Sequence, residues 1–264
     1  MSVLSSKTIA TGLGNDRPTL VFLHGFLGSH QDFIHLTTQL NQYNCLLLDL
    51  PGHGKSLGLP DRTYTLQGAA EAILDTLDQC NIDRPILYGY YMGGRLALYL
   101  ALRWPDRFAA AFLESSSPGL ATLAEQSDRR QQDKRRAQSI QTDFSEFLNK
   151  WYQADLFKSL KTHPSFPEIL DRRHQNDPNE LARSLLNMGT GSQPSLWPEL
   201  RQAKIPLHLI VGTADPKFCA INQKMQHVCP TAQLHAIPNI GHNLHIEAPD
   251  AIVEIILNNK LSSP

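Results

Sequence analysis

The sequence predicts a single α/β core, a doubly wound and mostly parallel sheet interrupted by an inserted helical cap. Short apolar runs alternate with segments that carry apolar residues at helical spacing. That rhythm stops near Leu120 and resumes at Ile205. A length of 264 residues suits one core with an insertion. The expected division is a core of residues 1–119 and 199–264 and a cap of residues 120–198.

The elements follow in chain order. Residues 1–14 are polar and broken by Gly12 and Gly14, which fits neither a secretory signal nor a membrane span, so a cytoplasmic setting is expected. Residues 19–23, 45–50, 85–88, 108–113, 206–211 and 232–237 are short apolar runs, and strands alternating with helices imply a parallel sheet. Residues 66–80, 92–103, 217–228 and 247–258 have helical apolar spacing and are expected to cover the sheet. Within the interruption, amphipathic stretches rich in glutamine, arginine, aspartate and aromatics are expected above the sheet's carboxyl edge, where open α/β sheets bind ligands. The charged run 128–136 reads mostly as a solvated helix face.

Lysine plus arginine (24) nearly balances aspartate plus glutamate (25), leaving no net field to recruit nucleic acid or an anionic membrane. Cys45, Cys80, Cys219 and Cys229 form no C-x-x-C pair and read as reduced, structural thiols. His242 and His245, and the loose group His24, His30 and His35, lack any H-E-x-x-H or cysteine–histidine framework, so no metal is expected. Residues 49–56 end in Gly-Lys-Ser but lack the first glycine of a phosphate loop, which argues against nucleotide binding.

The chemistry concentrates at Gly89-Tyr90-Tyr91-Met92-Gly93-Gly94-Arg95, directly after an expected strand and before an expected helix. This is the spacing of a G-x-S-x-G nucleophile elbow with Tyr91 at the serine position. Asp215 and His242 follow in the order nucleophile, acid, histidine, each after an apolar run. His24-Gly25-Phe26-Leu27-Gly28 follows the first core strand, where Phe26 and Met92 are expected to supply two oxyanion-hole N–H groups. Ser115, Ser116 and Ser117 follow another strand without an elbow, and none is nominated as a nucleophile.

These motifs, with Gly-Gly-Arg ending at Arg95, Trp151-Tyr152 in the cap, and Gly241-His242-Asn243 before His245, resemble the 2-succinyl-6-hydroxy-2,4-cyclohexadiene-1-carboxylate synthases over nearly the whole chain. The resemblance implies an α/β-hydrolase fold and a cofactor-free lyase of menaquinone or phylloquinone biosynthesis. It implies pyruvate elimination from 2-succinyl-5-enolpyruvyl-6-hydroxy-3-cyclohexene-1-carboxylate by a serine base activated by histidine and aspartate. It further implies that a small tricarboxylate is gripped by Arg95, Arg129 and Arg173, with Trp151 and Tyr90 lining the pocket. Arg130 adjoins Arg129 and Arg172 adjoins Arg173, so each pair leaves two choices of facing residue.

Tyr91 departs from that pattern at the catalytic position. A phenol oxygen lies a full ring farther from Cβ than a serine hydroxyl, and activity at least ~10³-fold below a serine version is expected. An esterase or carbon–carbon hydrolase of the same fold, or a noncatalytic protein that binds a small anion or a partner in the old pocket, are the competing readings.

Overall fold

The computed structural model describes residues 3–10 and 17–259, so Gly12 and Gly14 lie outside the described residues. Within them, seven strands form one sheet in the order β1-β3-β2-β4-β5-β6-β7. These are β1 Ser6–Ala10, β2 Thr19–Leu23, β3 Asn44–Leu48, β4 Ile86–Tyr90, β5 Ala110–Glu114, β6 Leu207–Gly212 and β7 Ala232–Ile237. β1 runs antiparallel to β3, from Ser6 opposite Leu48 to Ala10 opposite Asn44. The remaining pairs are parallel.

Helices connect the strands. α1 Ile34–Thr37 follows β2, α2 Leu66–Gln79 links β3 to β4, and α3 Met92–Arg103 follows β4. Between β5 and β6 lie α4 Leu123–Thr142, α5 Phe144–Tyr152, α6 Lys158–Lys161, α7 Phe166–His174 and α8 Pro178–Met188. α9 Pro216–Val228 precedes β7, and α10 Leu244–Glu247 and α11 Pro249–Asn258 close the described chain.

The two-residue period of the strands sorts their side chains into two cores. Val21, Leu23, Leu46, Leu48, Leu87 and Leu113 pack with Ile73 of α2 and Leu96 of α3. Leu20, Phe22, Leu47, Tyr88 and Phe112 pack on the other face with Ile252 and Ile256 of α11. A third cluster gathers Ile140, Phe147, Leu148, Ile169, Leu181 and Leu185 from the inserted helices, together with Leu27 from the loop after β2. The insertion helices have strong local start signals. Thr122 and Glu125 close a capping box at α4, and Asp143 and Asp177 cap α5 and α8.

Three sequence expectations need correction. The opening segment, where no strand was expected, contributes β1; a five-residue edge strand with polar members gives little periodic signal. The helix expected over 247–258 starts two residues later, as α11; Glu247 instead ends α10, and the chain breaks at Ala248 because Pro249 supplies no N–H and restricts the residue before it. The four cysteines are not uniformly structural: Cys45 and Cys229 are buried, whereas Cys80 is exposed at the end of α2.

Candidate active site

Tyr91 sits between the last residue of β4 and the first of α3, at φ 48° and ψ −99°. That is a strained conformation for a residue with a β-carbon. It is held by its N–H donating to the Glu114 carbonyl (3.0 Å) and its carbonyl accepting from the Arg95 N–H (3.0 Å). The turn needs glycine on both sides: a Cβ on Gly93 would lie 2.0 Å from the Leu23 carbonyl oxygen, and one on Gly89 would lie 2.5 Å from that of Gly93.

Asp215 is the N-cap of α9, one oxygen accepting from the Phe218 N–H at 3.2 Å. Its other oxygen meets Nδ1 of His242 at 2.6 Å. Both residues are buried. The carboxylate calls for the proton on Nδ1 and leaves Nε2 as the imidazole's basic nitrogen. Phe26 and Met92 line one small cavity together with Tyr91 and Arg95. Among the described residues neither the Phe26 nor the Met92 backbone N–H donates to another protein acceptor.

The contact between Tyr91 and His242 is ring to ring, edge-on with centroids 5.4 Å apart, and Tyr91 also meets Phe218 at 6.0 Å. The phenol points toward cations. Burial opposes its ionisation, yet the charges of Arg129 and Arg95, a hydrogen bond with Arg129, and the charge of Lys217 together bring its pKa below the ordinary tyrosine value. Arg95 is 4% exposed and donates to Gln193 Oε1 (2.6 Å) and the Met188 carbonyl (3.0 Å), both neutral. Burial lowers its pKa to about 10. Arg129 Nε donates to Asp133 at 2.8 Å.

The paired arginines of the insertion separate. Arg129 lines the cavity, whereas Arg130 donates to the Gly191 carbonyl at 2.8 Å. Arg173 is the buried member of its pair, but both its terminal nitrogens are taken by Asp32, at 2.9 and 2.8 Å, and its Nε meets the Tyr152 hydroxyl at 3.3 Å. Arg172 binds Glu168 at 2.7 Å. Burial alone would raise the Asp32 pKa; the adjoining Arg173 outweighs it and holds it at about 2.

Trp151 packs on Phe26 and lines the main cavity, which measures about 980 Å³. Tyr90 is buried, its hydroxyl accepting from Asn243 Nδ2 at 2.8 Å. The wall also carries Lys217, Phe157 and Lys158, which sequence reasoning missed, as it missed Asp32. Lys217, two residues after Asp215, was within reach of the motif; Asp32, in a short polar turn, gave no signal. Two of the other histidines have structural bonds: His24 Nε2 accepts from the Leu50 N–H, and His30 pairs with Asp49.

Residues 18–249 match the family model for the alpha/beta hydrolase fold. A sheet with one antiparallel edge strand, an elbow after β4 and a histidine after β7 place the chain in the α/β-hydrolase fold family. The chain is 36% identical over 246 residues to a putative 2-succinyl-6-hydroxy-2,4-cyclohexadiene-1-carboxylate synthase of Bacillus subtilis, covering 92% of this chain and 90% of that one. It is 34% identical to the synthase of Enterobacter sp., covering 95% and 93%. Among solved structures, MenH from S. aureus superposes with a TM-score of 0.91 at 32% identity over 96% of both chains. Within the α/β-hydrolases, the chain belongs to the 2-succinyl-6-hydroxy-2,4-cyclohexadiene-1-carboxylate synthase family. It also matches the chloroplastic protein PHYLLO of Arabidopsis thaliana at 31% identity, covering 88% of this chain and 15% of that one.

Proposed function

We propose that the protein is a carbon–oxygen lyase that eliminates pyruvate from 2-succinyl-5-enolpyruvyl-6-hydroxy-3-cyclohexene-1-carboxylate in menaquinone or phylloquinone biosynthesis, and that Tyr91 slows it. The observation that carries this reading is the 2.6 Å Asp215–His242 pair beside the Phe26 and Met92 amides and an arginine-bearing cavity. In the reaction, a proton leaves ring carbon 2 and enolpyruvate leaves carbon 5 as the ring double bond shifts to give the diene. The succinyl carbonyl takes up the developing negative charge, which the two amides stabilise. Enolpyruvate gains a proton and tautomerises to pyruvate. The elimination is acid–base chemistry and calls for no cofactor.

The remaining assignments belong to the same proposal. Residues 120–198 act as a cap on a core of residues 1–119 and 199–264. Arg95 and Arg129 grip substrate carboxylates, Tyr90 and Trp151 line the pocket, and Arg173, paired with Asp32, shapes the wall rather than offering a free fork. The enzyme works in the cytoplasm on a small anionic substrate, without nucleic acid or membrane. Tyr91 costs rate in two ways. It sets a ring where a hydroxyl is needed against His242, and it occupies the charge of the arginines that the substrate needs.

Incubation with the enolpyruvyl cyclohexene substrate, coupled to lactate dehydrogenase, tests the reading. Slow pyruvate release, abolished by His242→Ala, is the expected result. Ester hydrolysis without pyruvate release would make the protein a hydrolase instead.

A further inference from the structure

Three consecutive residues at the carboxyl end of β5 reach the elbow, the histidine loop and the helix capped by Asp215. The Glu114 carbonyl accepts the Tyr91 N–H at 3.0 Å. Ser115 Oγ donates to the His242 carbonyl at 2.8 Å, across 127 positions of sequence. The Ser116 carbonyl accepts from Asn222 Nδ2 at 3.0 Å, and Asn222 lies in α9, the helix capped by Asp215. The Glu114 carboxylate is fully buried and accepts from the His245 N–H (3.1 Å), the His245 Nδ1–H (2.8 Å) and the Tyr88 hydroxyl.

The fastening of the histidine loop is divided. Glu247 takes the N–H groups of Gly241 and Asn243, at 3.2 and 3.1 Å. The carbonyl of His242 itself is held by Ser115. Ser115 lies at φ 46°, a conformation that side chains with a β-carbon rarely adopt, while its N–H donates to the Ile210 carbonyl of β6 at 2.9 Å. Strain of this kind persists where surrounding contacts over-determine it.

We propose that Ser115 is a positioning residue for His242: its hydroxyl fixes the backbone end of that residue while Asp215 fixes the ring end. The proposal rests on His242 being the site's imidazole, as in the function proposed above. Glu114 and Ser116 complete one corner that keeps elbow, acid helix and histidine loop in register. The uncommitted Ser115-Ser116 pair thereby gains a role that needs no nucleophile.

Ring ¹⁵N shifts of His242 in the labelled protein test this without requiring turnover, because they report which nitrogen carries the proton and how uniquely. They are assigned by comparison with Asp215→Asn. Ser115→Ala removes the hydroxyl and keeps the backbone strain, whereas Ser115→Gly removes both. A positioning hydroxyl gives the same altered His242 shifts in both variants, although their melting temperatures differ, and leaves the His208 shifts unchanged. Parent-like His242 shifts in either folded variant overturn the proposal. As a second readout, Ser115→Ala in a Tyr91→Ser background lowers kcat about tenfold with KM within about twofold, the pattern of a mispositioned group. Unchanged kcat there also overturns it, and absence of turnover in Tyr91→Ser itself counts against the lyase reading while the NMR result stands alone.

Discussion

At the scale of single residues, the site is a contest for positive charge. Arg95 is a buried cation whose described hydrogen-bond acceptors are neutral, and burying a cation without an anion is costly. Tyr91 lines the same small cavity as Arg95 and Arg129. Ultraviolet titration, taken as the difference between the protein and Tyr91→Phe, should show Tyr91 ionising below the ordinary tyrosine value. Arg129→Met should move that ionisation upward, because Arg129 is the leading favourable charge. Asp32 gives a second prediction. Its pKa is depressed to about 2 from 3.8, so its contribution to stability is present above pH ~4 and is lost as pH falls through about 2. Asp32→Asn should flatten that acid limb in urea melts, and Arg173→Met should destabilise by about 3–5 kcal/mol by leaving the buried carboxylate with only the longer Arg172 contact, at 3.5 Å.

At the scale of elements, the β4–α3 turn carries the greatest demand. Gly93→Ala would press a methyl within 2.0 Å of the Leu23 carbonyl oxygen, so a loss of about 2–4 kcal/mol is expected in denaturant unfolding. The glycine spacing around that turn was legible because only one backbone geometry needs it. The six core strands were legible as apolar runs, and each lies within two residues of where the sequence put it, as for 85–88 against β4 Ile86–Tyr90. β1 was not, since edge strands escape the burial that writes a pattern. Within the site, the Asp215–His242 pairing followed from chain order, but the Asp32–Arg173 clamp and the Ser115 bond join positions more than a hundred residues apart with no local signature. Sequence periodicity reports which face is buried, not which polar atoms meet there.

For the whole molecule, a net charge of −1 conceals a strongly biased cavity. Its wall carries Arg129, Arg135, Arg136, Lys150, Lys158 and Lys217 against Asp155 and Asp215. Such a wall draws anions by a field that salt screens. In the Tyr91→Ser protein, kcat/KM for the tricarboxylate should therefore fall as ionic strength rises from about 0.01 to 0.15 M. An unaffected kcat/KM would remove the wall from substrate capture. The segment between β5 and β6 supplies most of these charges, and Asp215 and His242 lie outside it. On the function proposed above, Tyr91 alone blocks the lyase site, and pyruvate release from the enolpyruvyl cyclohexene substrate by the protein and by Tyr91→Ser under identical conditions tests this. The serine variant should be at least ~10³-fold faster; equal rates, or no pyruvate from either folded protein, would contradict the proposal.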